Sequence, residues 1–154
     1  MSGIKSLQLA GIVLFLGLGF LGRDLAWAWR HSPYDSGAGW VALIWVLSLV
    51  WVGRRHKPLP ASEWLVAAVL LGLVGWIGQL NVAVHAALVA AGMAWLPTLR
   101  SRLLMGIAGV SWWPALGWFA SGLLPVSGLL VGRFLILLAG VGLCLRMREK
   151  GTAS

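Results

Sequence analysis

The chain has little of what a water-soluble domain needs. Only 10% of its 154 residues are charged, and just four are acidic. Soluble domains average about 25% charged residues, so this chain cannot cover a globular surface with polar groups. An ordinary soluble enzyme and a disordered chain are both excluded. The single cysteine, Cys144, excludes an internal disulfide and any multi-cysteine metal site. No H-E-x-x-H, P-loop, dinucleotide fingerprint or G-x-S-x-G occurs. No catalytic residue, metal ligand or cofactor is therefore assigned.

What is present is hydrocarbon. Hydrophobic residues make up 60% of the chain, with 11 Trp and 21 Gly, and the mean hydropathy is +0.89. A helix crossing a bilayer needs about 20 apolar residues. The apolar runs predict an all-α, polytopic transmembrane bundle in one domain, 1–154. Six spans are expected, at 7–22, 36–52, 64–80, 82–99, 103–124 and 126–145. Pro33 and its Ser/Gly neighbours predict a broken polar loop over 23–39. GRRHKPLPASE over 53–63 is the strongest loop signal, and the tail from Arg146 is expected to fray.

The net charge of +8 is read through topology rather than as a nucleic-acid footprint. With six crossings, nine of the twelve Lys and Arg residues fall on one side: Lys5, Arg54, Arg55, Lys57, Arg100, Arg102, Arg146, Arg148 and Lys150. The positive-inside rule makes that side cytoplasmic. Both termini are then expected in the cytosol, the 23–39 loop outside, and the protein in a bacterial inner membrane with lipid as its first partner. No cleaved signal peptide is expected at the first span. Gly72, Gly75 and Gly78, Gly106 and Gly109, and Gly128 and Gly132 form small-residue stripes suited to helix packing.

Embedded polar groups carry the functional information, because ionisable side chains are costly at depth. Arg133 falls within the last span. His85 follows Asn81 by four residues, predicting one shared helix face. With Gln79 and the loop residues Tyr34 and Asp35, they outline a candidate outer polar pocket: Tyr34, Asp35, Gln79, Asn81, His85 and Arg133. Such a pocket suits a peptide, a lipid headgroup or a partner helix. Alternatively, Arg133 snorkels to the interface and His85 bonds a carbonyl or water. Acids are absent from every predicted span, which weighs against carboxylate-coupled transport. Cys144, in GLCLRMR, suits packing or juxtamembrane palmitoylation.

The order of features also resembles a family. Trp27 and Trp29 precede SPYDSG, a span ends in WVGRRHKPLP, and SRLLMGIAGVSWWPALGWFASGLLP follows. Pro33, Tyr34, Ser36, Gly37, Trp51, Arg54 and Arg55 approximate motifs in the N-terminal part of the exosortase/archaeosortase family, over Leu7 to Pro125. Those are membrane cysteine transpeptidases that process C-terminal sorting tails of exported proteins. The resemblance stops before chemistry. No Ala-Cys-Ser-Gly motif occurs, and Arg133 precedes Cys144, whereas the family's Arg follows its Cys. No catalytic role carries over. The resemblance implies a truncated or degenerate, non-catalytic member that assists sorting or export or acts as a scaffold. Its partner would be a transmembrane sorting tail or another membrane subunit. A structural subunit of a larger complex, or a small transporter, is the alternative.

Overall fold

The computed structural model describes residues 2–54 and 60–151, and side chains over 8–53 and 60–146. Of the expected 53–63 loop, residues 55–59 lie outside the described residues, while α3 takes in Gly53 and Arg54 and α4 starts at Ser62. Eight helices follow in order: α1 Ser2–Leu21, α2 Asp24–His31, α3 Ala38–Arg54, α4 Ser62–Ile77, α5 Asn81–Met93, α6 Leu99–Val110, α7 Pro114–Ala120 and α8 Val126–Gly151. The fold is all-α among these residues.

The expected six crossings are not there. Among the described residues only Val126–Arg146, 21 residues of α8, is long and apolar enough to cross a membrane. The number rises to three only if each of two bent helix pairs is one span: α1 with α2, bent by 47°, and α6 with α7, bent by 59°. The helices α3, α4 and α5 have 17, 16 and 13 residues. At 1.5 Å per residue, α5 reaches only about 20 Å, against a core of about 30 Å. The placement of nine of the twelve basic residues on one side depends on six crossings, so the cytoplasmic placement of both termini falls with it.

Local chemistry explains where apolarity misled. The expected 103–124 span runs through Pro114. Proline lacks an N–H, clashes with the carbonyl four residues back, and pushes its predecessor out of the helical region. Trp113 accordingly sits at φ −68°, ψ 135°, and Pro114 starts α7 instead of continuing α6. The expected 82–99 span overruns α5, which ends at Met93. Thr98 then opens α6 with a capping box: its Oγ1 accepts from the Ser101 backbone N–H at 3.1 Å, and the Ser101 Oγ accepts from the Thr98 N–H at 3.2 Å. The 23–39 loop contains a two-turn helix, α2, whose Asp24 in the first turn and His31 in the last complement the helix dipole. At the other end α8 stays helical to Gly151, past the point where fraying was expected.

The turn between α4 and α5 falls where Gln79 and Asn81 signalled it, with Gln79 at φ 51° and the Leu80 N–H bonding the Gly75 carbonyl at 2.8 Å. That hairpin is tight because small residues line it. A Cβ on Gly75 would lie 2.8 Å from the Val84 backbone nitrogen, while Gly72, further back on α4, admits Leu18 of α1, 2.7 Å from where its Cβ would be. Gly106 and Gly109 likewise admit Met93 and Val89 from α5. Among the described residues Gly132 has nothing within 4 Å and Gly128 meets only Pro125 and Leu124 of the preceding turn, so this stripe packs on no other helix there.

Helix α5 is the central strut. It packs on α1, α3, α4 and α6, while α8 lies against α3 and α6, and α2 bridges α3 and α7. Trp45 of α3 is 1% exposed and anchors the centre. Its indole N–H donates to the Met105 carbonyl of α6 at 2.8 Å, so a large aromatic is buried without a polar orphan. Cys144 belongs to this core, which fits the packing role and keeps the thiol from the surface.

Candidate functional site

Both helix breaks lie near one end of the bundle, and the embedded ionisable groups gather there. Arg133 projects from the second turn of α8 and is 0% exposed. Its Nη2 donates to Asp35 Oδ1 at 2.6 Å and its Nη1 to the Ser111 carbonyl at 2.9 Å. Asp35 precedes α3, and Ser111 is the last residue before the α6–α7 corner. One guanidinium therefore ties three separate chain segments. Snorkelling is excluded for this arginine, because the planar fork is held inside by a carboxylate and a freed helix-end carbonyl.

The close approach depends on two glycines. Gly37, at φ +87°, turns the chain from Asp35 into α3, with Leu130 packed 2.9 Å from where its Cβ would be. Gly117 of α7 lies over the ion pair, and a Cβ there would strike Asp35 Oδ1 and Arg133 Nη2.

A second pair lies across the Ser111–Trp113 corner. His85 of α5 is 2% exposed, and its Nε2 lies 3.3 Å from Asp24 Oδ2 at the start of α2. The contact is close enough for attraction but does not form an aligned hydrogen bond. Trp112 and Trp113 flank the imidazole, with ring centroids 6.2 and 6.4 Å away. Trp112 also meets Trp45 at 5.7 Å and Trp29 at 6.4 Å, and the Trp29 indole N–H points at the Trp112 carbonyl at 3.4 Å. The segment Ser111–Trp113 is thus shared by the Asp24–His85 and Asp35–Arg133 pairs.

Of the residues the sequence nominated, Asp35 and Arg133 meet directly, and His85 joins them through the tryptophan corner. Tyr34 is half-buried beside Asp35 in the chain. Gln79 and Asn81 stay exposed at the α4–α5 turn. Asn81 and His85 therefore do not share an environment, although four residues separate them. Sequence reasoning missed Asp24, Ser111, Trp112 and Trp113. Asp24 falls in the expected 23–39 loop, outside every expected span. The signal that would have found them is pairing: an embedded Arg and an embedded His each need a counter-charge, and only four acids exist. Among the described residues no group of three or more His, Cys, Asp or Glu side chains gathers to hold a metal.

Compared with family models, with curated proteins and with solved structures, the chain matches none.

Proposed function

We propose that this small all-α protein, with its one to three membrane-spanning helices, is an exosortase-like scaffold of an inner membrane. It holds an apolar transmembrane segment, such as the sorting tail of an exported protein, and does not itself perform transpeptidation. The observation that carries this is the use made of Arg133. Its two η-nitrogens fasten the α6–α7 corner and the Asp35 turn to α8. An embedded charge deployed in this way rigidifies a frame. Non-helical backbone inside a bilayer is tolerated only where protein covers it or where it lines a cavity, and this pair covers both irregular segments.

The rigid frame carries a lipid-facing surface fit for another helix. On α7, Trp118 is 82% and Phe119 71% exposed, and Trp27 on the adjoining α2 is exposed as well. This same surface favours the second reading, a structural subunit of a larger membrane complex. A photoreactive residue at Phe119 or Tyr34 of the full chain in its native membrane tests both. Crosslinks to a membrane protein ending in a sorting tail support the first reading. Crosslinks to a fixed set of subunits that co-purify in mild detergent support the second. A solitary, uncrosslinked monomer overturns both.

A further inference from the structure

The Asp24–His85 pair takes no part in the frame that Arg133 builds, and its chemistry differs. An arginine keeps its charge across the physiological pH range, whereas an imidazole does not. His85 is 2% exposed, and neither ring nitrogen makes an aligned hydrogen bond among the described residues. A neutral imidazole fits such a place. An imidazolium does not, because it carries two N–H donors. Its Nε2 would face Asp24 Oδ2 at 3.3 Å, but Nδ1 has no acceptor among the described residues. Trp112 and Trp113 flank the ring, and an indole nitrogen only donates. The Asp24 side chain is 34% exposed, so water weakens its attraction and leaves the pair open to protons from solvent. Helix α5 lies outside the candidate spans. Burial of His85 outweighs the pull of Asp24, and the imidazole is harder to protonate than a solvated one.

No other charge answers this imidazole. The described side chains of α1, α3 and α7 include no ionisable group, and α5 has only His85 itself. Glu63 of α4 and Arg102 of α6 bond each other. Arg100 is exposed at the start of α6, the end away from Ser111. Arg133 of α8 is paired with Asp35. Arg23, Arg30 and His31 are exposed, and His31 Nδ1 meets the Trp27 carbonyl.

Asp24 begins α2, which has eight residues and no side-chain cap at its N-terminus. A helix this short is not stable by itself. It follows the 47° bend after α1. Buried Leu25, Trp29 against Gly39 and Trp112, and the Asp24–His85 contact hold it in place. A proton binds His85 more readily once the ring reaches water, so acid favours molecules in which α2 no longer covers it. Docking of α2 is firmest with His85 neutral and weakens as pH falls through the histidine range. We propose that the Asp24–His85 pair is an acid-released latch: protonation of His85 frees α2 and opens the chain at the α1–α2 break. The latch works whatever occupies the α7 surface, so it does not rest on the scaffold reading.

Two measurements on the full chain in maltoside micelles test this. Nuclear magnetic resonance of isotope-labelled histidine follows the His85 imidazole. Hydrogen exchange read by mass spectrometry gives the protection of residues 24–31, corrected for the intrinsic rate at each pH. Between about pH 7.5 and pH 5 the protection of α2 should fall about tenfold, with the midpoint of the His85 titration, while that of α8 stays constant. His85→Gln, neutral throughout, should leave α2 equally protected at both ends of the range. Asp24→Asn removes the group that attracts the proton, and the fall should be at least as large as in wild type. Protection that stays level or rises on acidification of wild type would overturn the latch. So would a His85 titration with no change in α2, a fall that persists in His85→Gln, or one that vanishes in Asp24→Asn. The wild-type readings decide the matter even where His85→Gln does not fold.

Discussion

Removing Asp35 should be among the most damaging single changes this protein can suffer. The side chains of Arg133 and Asp35 are 0% and 7% exposed, so neither water nor salt screens the pair. Asp35→Ala leaves a buried guanidinium with only the Ser111 carbonyl to bond. Breaking a buried pair from one side costs about 3–5 kcal/mol, because the remaining charge is desolvated and uncompensated. That is roughly a hundred- to several-thousand-fold in the ratio of folded to unfolded protein. Replacing both partners by apolar groups of matching bulk removes the stranded charge, so Asp35→Ala/Arg133→Met should recover most of the loss. The assay is a titration of dodecyl sulfate into maltoside micelles, followed by far-ultraviolet circular dichroism, on wild type, both single variants and the double. Strong coupling between the two sites is the expected result. A cost below about 1 kcal/mol for Asp35→Ala, the range of an exposed pair, would refute the role given to the pair, as would single-variant losses that merely add in the double.

Three further outcomes follow from the same packing. Glu63→Gln should shift the unfolding midpoint by less than about 0.5 kcal/mol, since the Glu63 side chain is 67% exposed and its bond to Arg102 is a solvated ion pair. Gly75→Ala should cost about 1–3 kcal/mol by forcing a Cβ against the Val84 and Leu80 backbone, whereas Gly132→Ala, with open space around it, should be neutral or gain up to about 1 kcal/mol in helix propensity; the same titration reads both. Trp45→Phe should cost about 1–3 kcal/mol by leaving the buried Met105 carbonyl without its indole donor, and the circular dichroism spectrum of the folded state should remain helical.

Much of the helix inventory was legible before any coordinates. Apolar runs mark α1, α3, α4, α5 and α8 to within a few residues at most ends, and Gln79 and Asn81 bracket the α4–α5 turn. Composition states only that these helices are apolar. It does not say whether a run is straight. Pro114 was visible, yet its effect, a corner that frees the Ser111 carbonyl for Arg133, depends on α8 lying alongside. The short helix over Asp24–His31 was hidden because it is only eight residues long, with Asp24, Arg30 and His31 at its ends, and it docks on α3 and α7.

The sequence by itself determined that the chain is helical, strongly apolar and poor in acids, because those properties follow from composition and the apolar runs. Only the tertiary structure decided how many of the described helices are long and straight enough to cross a bilayer, and which acid answers Arg133 and which His85. Asp35 and Arg133 stand 98 positions apart in the chain, and no local pattern encodes a contact over that distance. It exists because two bent helices and one long straight one bring their polar corners to the same place, where an unpaired charge would be too costly to bury.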